Sequence, residues 1–386
     1  MRCWGVLWRC GPRLWSGGAC LLALASLAGC ALVTRPIVWD EETFAAKQIP
    51  TYTVPADRRG APAETVIGSV DTYRVHDGDT FLDIARYYDL GYNEIVDANP
   101  GVDPWVPKPG TEITLPTQWI LPCCTYEGVV VNIPEMRLYE YRRAEEAPDI
   151  VTVRTYPVGL GREDWRTPRR TFRVRGKTVN PRWNIPESIR REHVKERGDH
   201  RRSIPGGDPD NPLGKYRIEL GNSRYAIHGT NIAWGVGMLV SHGCIRLYPE
   251  DIERLFPQVA VGSRVEFVYQ PVKIGTDAGG TYLEVHRDVY DLVGSLSATA
   301  RSELARRKLS GAVDRGVLRS ATEDMDGVPV RVSPEVAAHL DETAEPVILS
   351  LEPAEPPRAL LGRRASTEYA PIPSEICAWS GESAQK

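Results

Sequence analysis

The residues best suited to chemistry are gathered in the string Ser241-His242-Gly243-Cys244-Ile245-Arg246, with Ile227-His228-Gly229 upstream. A cysteine attacks as the thiolate, so a neighbouring group must take its proton. A histidine within hydrogen-bond reach can do so, and backbone amides must then receive the oxyanion of the tetrahedral intermediate. Gly243 lets the chain turn tightly and present its amides with no Cβ in the way. Two histidines compete for the role of base. His242 lies two residues from Cys244, so in an extended segment the two share a face but also a constrained backbone. His228 closes a separate strand and can be aimed freely, which favours it. Two other chemistries fit the same residues. His228, His242 and Cys244 could be three ligands of a zinc ion with water as the fourth, although no carboxylate stands near to work that water as a base. A cysteine after glycine is also the pattern of a buried structural thiol.

These residues need a scaffold. Residues 127–275 carry short β-patterned runs at 128–133, 137–141, 150–158, 171–174, 216–220, 225–228 and 265–268, separated by Gly and Pro turns. Strands at this spacing predict a mainly β domain of sandwich or barrel type. A single helix interrupts them at 249–256, with Pro249 suited to a first helical turn. Ahead of this region, residues 72–116 predict a small module of order strand, helix, helix, strand. Phe81, Ile84, Ala85 and Tyr88 fall on one helical face, and Asn99-Pro100-Gly101 ends the second helix. Beyond residue 285 the pattern fades to an amphipathic helix at 295–309 and a short strand at 328–332. Residues 343–386, rich in Pro, Glu, Ser and Ala, predict a flexible tail.

The chain has 386 residues, which favours two or three domains, and a formal net charge of −4. No basic stripe points to nucleic acid. Arginines cluster at 162–175 and 190–202, either as solvated loop charge or as an electropositive rim for anionic substrate. Arg2, Arg9 and Arg13 precede a short apolar run at 19–28, too short to span a bilayer. It ends in Leu27-Ala28-Gly29-Cys30, which resembles a bacterial lipoprotein cleavage site, with Cys30 as the lipidated first residue of the mature chain. With Ala31 and no Asp after it, an outer-membrane destination is expected. Residues 31–70 show little periodicity and carry four prolines, as a tether would; extended, it reaches on the order of 100 Å. Of eight cysteines, Cys30, Cys123, Cys124, Cys244 and Cys377 remain after cleavage. An exported chain meets an oxidising compartment, but adjacent Cys123 and Cys124 are poorly placed to pair with each other.

Two family resemblances follow. Tyr73-Arg74-Val75, Gly78-Asp79-Thr80, Asn93, Ile95, Asn99-Pro100, Pro109-Gly110 and Ile113-Thr114-Leu115-Pro116 resemble a LysM domain, which implies binding of N-acetylglucosamine-containing glycan through the loops at 77–80 and 99–103. His228 followed by Ser241-His242-Gly243-Cys244 resembles the signature of the YkuD-type L,D-transpeptidase catalytic domain. Residues 205–216 and 246–252 strengthen the likeness, toward the Gram-negative periplasmic branch. The resemblance implies a cofactor-free, metal-free peptidoglycan acyltransferase. Cys244 would attack the stem tetrapeptide and release D-alanine. His228 would be the base, while His242, Gly243 and Ser241 would shape the oxyanion site. Arg246, standing where many family members carry Asn, would hold a stem carboxylate. An amine then takes the acyl group: either a stem side amine, giving a 3-3 cross-link, or the lysine of an outer-membrane lipoprotein. Water as acceptor would make a carboxypeptidase, and a silent catalytic domain would leave a wall-binding scaffold. The expected order is signal peptide 1–29, tether 30–70, LysM-like module 71–117, catalytic domain 126–270, C-terminal extension 271–342 and tail 343–386, in a periplasmic protein anchored to the outer membrane.

Overall fold

The structure is a computed structural model and describes residues 37–57, 60–144 and 146–333. Cys30, the signal peptide and the tail lie outside them. The described chain is mainly β, and its central element is a nine-stranded sheet. In spatial order its strands are Tyr52–Pro55, Ala147–Pro157, Arg137–Ala144, Gly128–Asn132, Arg264–Val268, Arg170–Val179, Tyr216–Leu220, Ala226–His228 and Ile245–Arg246. Alternation along these strands sends Val129, Val131, Leu138, Ile218, Ile227, Ile245 and Val265 into one core, as period-two side-chain placement requires.

Among the described residues seven α-helices accompany the sheet: α1 Glu41–Ala46, α2 Phe81–Tyr87, α3 Tyr92–Asp97, α4 Glu187–Arg197, α5 Pro249–Gln258, α6 Leu296–Arg306 and α7 Arg315–Asp324. Their starts are chemically marked. Asp40 accepts the Thr43 N–H at 2.8 Å, Thr80 accepts the Asp83 N–H at 3.2 Å, and Pro249 opens α5. The small module is strand Asp71–Arg74, α2, α3 and strand Glu112–Leu115, the two strands pairing antiparallel.

Three stretches carry more regular structure than the sequence expectation, the last of them in addition to the expected helix and strand near 295–309 and 328–332. The tether at 30–70 is built into the fold from residue 38 onward. It contributes α1, the edge strand Tyr52–Pro55 paired to residues 150–153, and strand Val66–Gly68 paired to Gln118–Ile120. These strands are short and only Val54 and Ile67 in them are buried. Their partners lie far off in sequence, so no local period announces them. The arginine-rich run at 190–202 begins as helix α4, which ends at Gly198 with φ +65°. The extension after residue 271 is a third compact layer, with strands Val272–Asp277, Gly280–Val285 and Val330–Arg331 packed on α6 and α7.

The small module is joined to the large sheet by buried charge. Arg137, fully buried in the sheet, forks onto Glu94 of α3 with N–O distances of 2.7 and 2.9 Å. Its guanidinium lies 4.2 Å from the Trp119 ring centroid, and the Trp119 indole also donates to Glu94. On the far side, Lys47 Nζ meets Asp251 at 2.9 Å and Asp89 at 3.0 Å, while Arg86 forks onto Glu250 at 2.9 and 3.0 Å. Removing one partner strands the other charge without water, which costs about 3–5 kcal/mol. Arg137→Ala is therefore expected to lower the unfolding free energy by that amount in urea denaturation. A loss under about 1 kcal/mol, the range of a surface pair, would show that the junction does not depend on this pair.

Candidate active site

Three strands bring the chemical residues together by register alone. Strand Tyr216–Leu220 pairs antiparallel with Ala226–His228, placing Arg217 opposite His228. Strand Ala226–His228 pairs parallel with Ile245–Arg246, placing His228 beside Arg246. Ile218, Ile227 and Ile245 form the neighbouring row and are fully buried in the core. The row Arg217–His228–Arg246 therefore points to the other face, and Cys244, two residues before Arg246, falls on that face too.

The turn carrying Cys244 is held from below. The Ser241 hydroxyl donates to the Cys244 carbonyl at 2.6 Å and accepts the Gly243 N–H at 3.0 Å. Gly243 has φ +98°, and a Cβ there would lie 2.8 Å from the Tyr225 ring, so both conformation and space demand glycine. The Thr167 hydroxyl donates to the Gly243 carbonyl at 3.3 Å, and the Tyr290 hydroxyl donates to the Gly161 carbonyl at 2.6 Å.

His228 is almost wholly buried, and its Nδ1 lies 2.6 Å from the Gly229 carbonyl. A carbonyl can only accept, so Nδ1 carries the proton and Nε2 keeps a free lone pair. Burial, helped by the positive charges of Arg246 and Arg217, pushes the imidazole down to about 3, against the Gly229 bond. Burial also raises the Cys244 thiol, although the Ala226 N–H and the arginines Arg217, Arg246 and Arg224 pull it back. Both shifts favour the neutral pair: the proton rests on sulfur, and His228 stands as a neutral base.

His242 is held by a carboxylate at the rim of the same site. Its Nε2 lies 2.7 Å from Glu192 of α4, which Arg162 also holds at 2.9 Å, and Trp165 meets the ring edge-on. Beside Cys244 opens a cavity of about 340 Å³. Trp165, Trp183, Arg182, Arg217, Arg224 and His242 are among its walls, and no carboxylate among the described residues lines it. Arg246 is largely buried, which lowers its pKa, and its Nε has no hydrogen-bond partner among the described residues.

Sequence reasoning did not single out Glu192, Arg217, Arg224 or Trp165. Arg217 was within reach, because period two along Tyr216–Leu220 already sets it opposite the buried Ile218. Glu192 carries no local signal, since it reaches His242 only through the placing of α4.

The L,D-transpeptidase catalytic domain matches residues 127–272 and the LysM domain matches residues 73–116. Among curated proteins, "Probable L,D-transpeptidase ErfK/SrfK" of Escherichia coli is 36% identical over 291 residues, covering 73% of this chain and 91% of that protein. "Probable L,D-transpeptidase YbiS" of Escherichia coli is 35% identical over 293 residues, covering 73% and 92%. The ErfK/SrfK protein of Salmonella typhimurium is 38% identical over 257 residues, covering 64% and 81%.

Proposed function

The chain belongs to the L,D-transpeptidase family, and on that premise we propose that it works on peptidoglycan through a thioester at Cys244. The supporting observation is the register that sets a neutral His228 on the same face as Cys244, beside a cavity with three arginine walls and no carboxylate. In this reading His228 Nε2 takes the thiol proton as sulfur attacks the carbonyl before the terminal D-alanine of a stem tetrapeptide. The same proton then goes to the leaving amine, and D-alanine departs. An acceptor amine attacks the thioester and returns Cys244 to the thiol. The Gly243 N–H is already given to Ser241, so the Cys244 N–H is the amide of this turn assigned to the oxyanion, and Gly243 serves the shape of the turn. Arg246 and the cavity arginines hold substrate carboxylates.

The LysM module would hold the glycan while the catalytic domain works on its stems. Cys30 is proposed to be lipidated, holding the enzyme in the periplasm at the outer membrane; labelling with a fatty-acid analogue should tag the wild type and not Cys30→Ser. No described helix is long and apolar enough to cross a membrane.

The direct test is incubation of purified protein with disaccharide-tetrapeptide, with and without a lysine-bearing lipoprotein peptide, followed by mass spectrometry. Loss of D-alanine with a new amide bond is the expected product, at the stem side amine or at the lysine. Loss of D-alanine with water added would assign a carboxypeptidase. Unchanged substrate would favour the non-catalytic wall-binding scaffold. A chelator should leave the rate unchanged, whereas a zinc site built on His228, His242 and Cys244 would lose it.

A further inference from the structure

We propose that His242, oriented by Glu192, is a second base of the reaction and takes the proton that the acceptor amine must lose before it attacks the thioester. The proposal rests on the thioester reading given above. Proton counting calls for such a group. A lysine or stem side amine arrives at neutral pH as an ammonium with three N–H bonds, and the amide nitrogen it becomes keeps one. Two protons leave. His228 can carry one of them to the sulfur, which restores the thiol. It offers a single basic nitrogen, because Nδ1 is committed to the Gly229 carbonyl at 2.6 Å, so the other proton needs a different base.

The geometry supplies one. Nε2 of His242 lies 2.7 Å from one Glu192 oxygen, and Arg162 holds the other at 2.9 Å. A carboxylate only accepts, so Nε2 carries the ring proton and Nδ1 keeps its lone pair. The bond from His242 first, and then that from Arg162, holds the Glu192 carboxyl below its usual range. An ionised carboxylate behind an imidazole fixes the tautomer and stabilises the imidazolium that forms. Trp165, edge-on at 5.1 Å between ring centroids, packs against the same ring. His242 also stands between two cavities. One is the basic cavity of Cys244; the other, of about 520 Å³, sets Glu192, Glu196, Asp199 and Asp210 against four arginines. His242 and Trp183 line both. Arg201 neutralises Asp199 and Asp210. A cationic amine is favoured in this mixed cavity over the basic one, and from there it meets His242 before Cys244. The step balances. One ammonium proton passes to Nδ1 and on to water, and the freed lone pair attacks the thioester carbon. The carbon–sulfur bond breaks, and the second proton passes through His228 to the sulfur.

The experiment separates the two half-reactions. Acyl-enzyme is accumulated from disaccharide-tetrapeptide whose side amine is acetylated, and is then given either a peptide ending in lysine or hydroxylamine. Hydroxylamine is uncharged at neutral pH and has only the one proton to lose that His228 can carry. Loss of the thioester is followed by intact-mass spectrometry at pH 7. His242→Gln, which keeps an N–H toward Glu192 and removes the base, should slow transfer to the lysine peptide roughly 10²–10⁴-fold, and transfer to hydroxylamine by less than about tenfold. Glu192→Gln, which leaves the imidazole and removes the charge behind it, should show the same contrast at smaller size. Equal losses with the two acceptors would overturn the proposal and leave His242 a part of the oxyanion turn alone. Transfer to lysine at the wild-type rate in His242→Gln would overturn it too. In both cases the acyl-enzyme still forms and the thioester reading survives. If no acyl group is found on Cys244 in the wild type, both fail.

Discussion

Cys244→Ala is expected to abolish transfer and D-alanine release, by at least about 10⁴-fold, while sacculus binding stays within twofold of wild type. The size follows from the role: with the nucleophile gone, only binding and oxyanion stabilisation remain, and in enzymes whose catalytic residues act as a unit such a loss is of this order or greater. Alanine suits the site sterically. Cys244 sits at the cavity wall, its sulfur pointing toward the Arg224 carbonyl at 3.7 Å, so truncation leaves the Ser241 staple and the Gly243 turn in place. Binding should persist because the glycan is assigned to the loops at 77–80 and 99–103, on a module fixed to the sheet through Arg137–Glu94 and Lys47–Asp251. The measurements are D-alanine release by mass spectrometry and co-sedimentation with purified sacculi. Residual transfer within tenfold of wild type would end the nucleophile assignment. Lost sedimentation in a folded variant would place the catalytic cleft, and not the small module, in charge of wall affinity.

What the sequence disclosed follows the range of the forces involved. The run 128–133 was legible as a short continuous apolar stretch buried on both faces, 216–220 from its alternation, and α5 because Pro249 and its apolar side lie within one turn of each other. The small module was legible from end to end, since its strands, caps and turns are neighbours in the chain. Residues 38–68 were not. Tyr52–Pro55 gains its hydrogen bonds from residues 150–153, and Lys47 is explained only by Asp89 and Asp251. The same holds at the cavity. Gly243 could be anticipated from the turn that a nucleophile needs, but the pairing of His242 with Glu192 depends on where α4 comes to rest. The group that orients His228, by contrast, is the carbonyl of the next residue, Gly229.

His228→Ala is expected to slow acylation of Cys244 by a carbapenem roughly 10²–10⁴-fold, the usual scale of general acid–base help, and His242→Ala to slow it less. The two imidazoles differ in what they can do with a proton. His228 spends Nδ1 on the Gly229 carbonyl and keeps Nε2 as an acceptor, whereas His242 presents Nε2 to Glu192 and Arg162. A pH profile separates the roles further. A folded-state value of about 3 leaves His228 neutral, and so able to accept a proton, at every pH well above 3. Burial holds the Cys244 thiol above its ordinary value, so it stays protonated through neutral pH. Neither group titrates between pH 5 and 8, and the acylation rate of the wild type should be flat across that window. A resting thiolate–imidazolium pair would behave differently, because the thiolate fraction would fall as pH dropped through a depressed sulfur value. Intact-mass spectrometry of the acyl-enzyme against time gives the rates for wild type and both variants. If His242→Ala is the slower of the two, the proton passes through His242 instead; if the wild-type rate rises tenfold between pH 5 and 8, the resting state is the thiolate–imidazolium pair.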